Sequence, residues 1–352
     1  MIRGLTASLV ACLCLCAGPA LAQAKARATT PEIPFDSISF VKHMPPGLYM
    51  GEAIGVATNS KGNVYVMTRS GESKVFEFDR AGTFIKEFGR GAYGYGFAHA
   101  VRVDKDDNVW SVDEGSNVIL KYAPDGRLLM VLGKRPDAID QLNRLPGTAP
   151  YSGANRPYSF HRPTDITWDP QGDIFVSDGY TDSRIVKYDK EGRFIKSMGT
   201  RGNGVNQFST PHGISADAQG NIYVADRGNS RIVVLDNDLN WKTTYENVGA
   251  PWGICISQSM PQYLFSTASS GTNMEVENAA VTGEIYKMQL DGTVVGRFGK
   301  AGKALKEFAS THTLDCRNPN EIYLAEINAW RVQKATLRPA SQTDSRPQET
   351  RR

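Results

Sequence analysis

A unit of four short strands recurs along this chain, and no other feature restricts its fold as much. The unit is clearest in PHGISADAQGNIYVADRGNSRIVVLD, which opens at Pro211. β-Branched runs there are separated by tight polar turns (DAQGN, RGNS), the punctuation of hairpins. After Glu52 the same unit reads AIGVAT, NVYVMTR, KVFEFD, TFIKEFG; after His99 it reads AVRVD, NVWSVDEG, VILKYA, RLLMVLG. Further units start at Thr164, Trp252 and His312, and their fourth strands commonly end in Phe-Gly, Leu-Gly or Met-Gly. Six such units predict an all-β, six-bladed β-propeller over residues 35–337. The sixth unit lacks a fourth strand, and FDSISFV at 35–41 is a spare one. Closing the ring with it completes the last blade and removes the exposed edges.

The flanks differ from the repeats. Arg3, the apolar run 5–21 and Ala20-Leu21-Ala22 make residues 1–22 a secretory signal cleaved after Ala22, with a lipoprotein site at Cys12 as the alternative. A secreted or periplasmic protein follows, with a flexible lead-in over 23–34 and a polar, disordered tail over 338–352. Its two remaining cysteines, Cys255 and Cys316, form either one disulfide or two buried thiols. A net charge of +3 gives no nucleic-acid footprint, and no further apolar stretch could span a membrane. The expected state is a soluble monomer. Two long connections, 134–162 and 268–282, are placed to overhang a mouth of the channel.

Three of the five histidines share a register: His99, His212 and His312 each stand nine residues before the residue that opens the next strand. They occupy blades two, four and six, while Ala53, Thr164 and Trp252 fill the position in the others. Alternate blades of six are about 120° apart and first strands line the channel, so three imidazoles converge on the axis. That is a tri-histidine metal site, with zinc the leading ion among divalent metals that imidazole suits. His43 lies outside the blades and His161 is out of register.

The turn after each second strand opens at the same mouth. It carries Arg69 in blade one, Glu114 in blade two, Tyr180 in blade three and Arg227 in blade four. Two guanidiniums above a metal suit an anionic substrate, and a phenol between cation and metal can act as a base. Arg184 and Arg231, in repeated Ser-Arg pairs, read as structural.

With these residues in view the blades resemble NHL repeats. More specifically, SFHRPTDITWD, DIFVSDGYTDSRIVKYD, FSTPHGISAD and NIYVADRGNSRIVVLD resemble the peptidyl-α-hydroxyglycine α-amidating lyases, most strongly over 160–236. The resemblance implies zinc on His99, His212 and His312, a catalytic Tyr180, and active-site arginines at Arg227 and Arg69. It also implies a reaction, the splitting of an α-hydroxyglycine into an amide and glyoxylate. Zinc on the hydroxyl would lower its pKa, ionised Tyr180 would take its proton, and an arginine would hold the carboxylate. Two departures stand out. The family has an aspartate that helps hold a structural calcium where this chain has Thr313, and a disulfide cysteine where it has Thr181. The calcium is therefore in doubt and those disulfides are absent. Other readings remain a metal-dependent hydrolase or lactonase on the same scaffold, and a non-catalytic propeller binding a protein or envelope polymer.

Overall fold

The computed structural model describes residues 29–69, 73–135, 156–246, 248–269 and 282–338. The expected signal at 1–22, the tail past Arg338 and most of both long connections lie outside the described residues. Six four-stranded antiparallel sheets are present, five of them built from consecutive strands. Blade two comprises Ala98–Val103, Val109–Asp113, Val118–Tyr122 and Leu128–Gly133; blade four comprises Pro211–Ala216, Ile222–Asp226, Arg231–Leu235 and Trp241–Tyr245. In the sixth sheet Thr311–Asn318, Glu321–Glu326 and Arg331–Leu337 are completed by Phe35–Ser39, paired antiparallel with Ser37 opposite Ala335. The ring closes as the spare strand required. First strands of neighbouring blades pack against one another around the axis.

Each sheet is covered on both faces by its neighbours, which is why second and third strands read as near-continuous apolar runs. Trp110, Val112 and Ile119 of blade two pack with Ile166, Val176 and Val186 of blade three. Outermost strands are instead only partly covered, as in Phe84–Phe88, where Phe88 alone is buried. Burying such faces, at roughly 25 cal/mol per Å² of apolar surface, is the main force holding the ring together.

Two repeated devices shape the blade ends. At one end an aspartate caps the turn between strands: Asp217 Oδ1 accepts the N–H groups of Gln219 at 2.9 Å and Asn221 at 2.8 Å. Gly220 supplies the left-handed residue of that turn, at φ +83°. At the other end, in blades two, three, four and six, the acid closing the second strand holds the backbone that enters the first strand. Asp226 Oδ1 accepts from Ser209 N at 2.7 Å, Glu326 Oε2 from Ala309 N at 2.8 Å, and Asp113 from Phe97 N at 2.9 Å. In blades three, four and six the acid also pairs with an arginine of the third strand. Arg184 Nε and Nη2 reach Asp178 Oδ2 at 3.1 and 3.0 Å, and Arg231 Nε reaches Asp226 Oδ2 at 2.7 Å.

Two expectations are resolved here. Cys255 and Cys316 form a disulfide between the first strands of blades five and six, so they are not free thiols. The described end of the lead-in is paired rather than loose. Ile33 N donates to Arg297 O at 2.8 Å, and Arg297 N donates to Pro31 O at 2.9 Å, along the edge of blade five.

Candidate metal centre

The histidines sit where the first strands of blades two, four and six slip register against their second strands, between Ala98 and Ala100, Pro211 and Ile214, and Thr311 and Thr313. A bulge re-aims the side chain it carries. The three imidazoles are buried with ring centroids 4.5–4.7 Å apart, and one nitrogen from each lies within 4.8 Å of the others. Each Nδ1 faces a backbone carbonyl of the next blade round the ring. His99 meets Thr164 O at 2.5 Å, His212 meets Trp252 O at 3.0 Å, and His312 meets Ile54 O at 2.9 Å. A carbonyl only accepts, so Nδ1 carries the proton and Nε2 is left as the donor atom. Thr164 and Trp252 occupy the histidine register in blades three and five, and Ile54 follows Ala53 in blade one.

Burial, helped by the charges of Arg69, Arg227 and Arg162, pushes His99 down to about 3, even though the hydrogen bond to Thr164 pulls the other way. Burial likewise holds His212 and His312 well below the ordinary histidine value. Three neutral, tautomer-locked imidazoles in one buried cluster are a donor set that fits a divalent transition metal.

Tyr180 lies on the Nε2 side. Its hydroxyl is 3.2 Å from His99 Nε2 and 3.3 Å from His212 Nε2. Burial raises the phenol to about 12, although Arg227, Arg162 and Arg69 pull the other way. The protein groups alone therefore keep Tyr180 protonated at neutral pH. Arg227 stacks on Trp252, 4.5 Å from the ring centroid, and interacts with the Tyr180 hydroxyl. Arg69 is less open than an anion-binding role suggests: its Nε lies 2.6 Å from Glu52 Oε2 and its guanidinium covers Phe97 at 4.3 Å.

Sequence reasoning missed Arg162. It stands at φ +65°, its N–H donates to Asn117 Oδ1 at 2.8 Å, and its guanidinium lies 4.4 Å over the Tyr180 ring. Nη2 pairs with Glu114 at 3.2 Å, and the side chain is 53% exposed. His161, set aside as out of register, is not at the cluster; Nδ1 meets Asp182 Oδ1 at 2.9 Å. Thr313 is engaged with blade one, donating to Ile54 O and accepting from Val56 N, both at 3.1 Å.

The sheets, their closure and the repeat together define an NHL-repeat β-propeller; residues 208–235 match the NHL repeat family. Within that class, this chain is related to the amidating lyases and to NHL repeat-containing protein 3. It is 29% identical over 83% of its length to a probable peptidyl-α-hydroxyglycine α-amidating lyase of Caenorhabditis elegans, covering 84% of that protein. Human NHL repeat-containing protein 3 is 26% identical over 84% of the chain, which covers 82% of it. Peptidyl-glycine α-amidating monooxygenase B of Xenopus laevis is 33% identical over 67% of the chain, which spans only 26% of that longer protein. Among solved structures, a streptogramin B lyase superposes with a TM-score of 0.55 at 18% identity, over 86% of this chain and 98% of that one. A gluconolactonase from Xanthomonas campestris gives 0.59 at 13% identity, over 88% and 95%. At those identities the structures share the fold alone.

Proposed function

We propose that the protein is an exported, zinc-dependent carbon–nitrogen lyase that splits a peptidyl or N-acyl α-hydroxyglycine into an amide and glyoxylate. One observation carries this reading: the Tyr180 hydroxyl stands beside the Nε2 atoms of His99 and His212, with Arg227 against it. Relationship to the amidating lyases supports it.

His99, His212 and His312 would hold a dication, whose positive charge would bring the phenol and the substrate hydroxyl down to the neutral range. Tyr180 then takes the hydroxyl proton, the electron pair left on that oxygen forms the second bond of the glyoxylate carbonyl, and the C–N pair leaves with the nitrogen. The phenol returns the proton to that nitrogen, completing the amide. Arg227 steadies the phenolate, and Arg227 or Arg69 holds the substrate carboxylate. The Cys255–Cys316 disulfide suits export to an oxidising compartment.

Elemental analysis and a glyoxylate assay on an N-acyl-α-hydroxyglycine test this directly. About one zinc per chain is expected, absent from a folded His212→Ala variant. Tyr180→Phe should retain the metal and lose turnover by roughly 10²–10⁴-fold. Undiminished turnover in Tyr180→Phe would sink the assignment of the base. A wild type that takes up no metal would leave a non-catalytic binding propeller as the better reading, as the similarity to NHL repeat-containing protein 3 allows.

A further inference from the structure

One layer further along the channel, three residues past His99, Arg102 crosses the axis. Its Nε and Nη2 grip Asp165 of blade three at 2.8 and 2.5 Å, the two-pronged geometry that suits guanidinium to carboxylate. Nη1 donates to Leu314 O at 3.0 Å and Nη2 to Ile254 O at 3.4 Å. Asp165 also accepts the N–H of Ile214 at 3.2 Å and that of Ile166 at 2.9 Å. The pair therefore touches blades two, three, four, five and six. Burial works against the charge on Arg102, and Asp165 more than offsets it, so the group stays ionised.

The contact points matter more than their number. Arg102 shares a strand with His99, Ile214 lies two residues beyond His212, and Leu314 two beyond His312. Thr164, whose carbonyl orients His99, directly precedes Asp165. All three histidine strands are thus held relative to one another by a single ion pair. Its oxygen set, one carboxylate and two inward carbonyls, is also what a calcium ion takes. Here those oxygens receive guanidinium N–H groups, while Thr313 is spent on blade one. The residues present do not fit a structural calcium at this level.

We propose that Arg102 and Asp165 are the positioning pair of the tri-histidine centre, with the Arg102 guanidinium standing in for a structural cation, so that this chain orders its metal site without calcium. The inference rests on the histidines holding a metal.

Cobalt(II) binding, followed by its visible absorption, tests the pair without recourse to lyase activity. Wild-type affinity and melting temperature should be indifferent to millimolar calcium or a calcium-selective chelator. Arg102→Ala should bind cobalt about 10–100-fold more weakly, as expected when outer-shell support is lost, with an altered absorption band. Millimolar calcium should restore both, because the released oxygens then suit that ion. The double variant Arg102→Met/Asp165→Asn removes the buried charges together and serves if the single variant does not fold. It should bind cobalt weakly and ignore calcium. Unchanged cobalt affinity in either folded variant, no calcium rescue of a folded Arg102→Ala, or a wild type stabilised by calcium would overturn the proposal. A wild type that binds no cobalt refutes the metal reading itself, a result distinct from all of these.

Discussion

Gly179 precedes Tyr180, and a methyl group there would stand 1.8 Å from Pro211 O, immediately before His212. The turn that carries the phenol is pressed onto the strand that carries the ligand. Gly179→Ala should cost about 1–3 kcal/mol of stability, the usual cost of overpacking, and lower turnover by displacing Tyr180. Denaturant titration alongside metal analysis checks this; wild-type stability would show that the turn yields freely. At this scale the histidines were legible because register arithmetic needs no structure, and Tyr180 because SDGY is a local string. The carbonyls of Ile54, Thr164 and Trp252 were not legible, since every residue has one. Arg162 was hidden in an irregular connection, where only its left-handed backbone brings the guanidinium over Tyr180. The ionised phenol expected from sequence also fails without the metal's charge, because burial is a property of the whole ring.

At the level of strands and turns, the blades were readable from punctuation: an aspartate, a left-handed glycine and an apolar run recur because each does the same work in each turn. The capping aspartates give this level its own pH dependence. The N–H of Thr83 donates to Asp79 and lowers its pKa below 3.8; the N–H of Thr293 does the same for Asp291. A carboxyl held lower in the folded state stabilises the fold above its unfolded value and loses that contribution as pH falls through the depressed one. Stability should therefore decline on acidification below about pH 4. Asp79→Asn, which keeps the acceptor and drops the charge, should flatten the decline in urea titrations between pH 5 and pH 3. An unaltered slope would discount this cap. The pairing at the described end of the lead-in was hidden for the opposite reason: Ile33 finds its partner at Arg297, and such distant pairing leaves no local signature.

For the molecule as a whole, closure was legible from a missing strand at one end and a spare one at the other. Phe35–Ser39 covers the outer edge of Arg331–Leu337 and seats Phe35 against Phe298 and Phe308. A chain beginning at Phe40 should melt earlier and self-associate through the bared edge. Light scattering and a thermal melt would show it, and a monomer of unchanged melting temperature would contradict it. The relay of imidazole to neighbouring carbonyl has a consequence for biosynthesis. His312 takes its orientation from Ile54, 258 residues earlier in the chain. A growing polypeptide has two of the three histidines long before the last, and the last is not aimed until the far ends meet. On the proposed metal reading, capture of the ion would be deferred to the final moment of assembly, and a loaded centre would certify that the circle is whole.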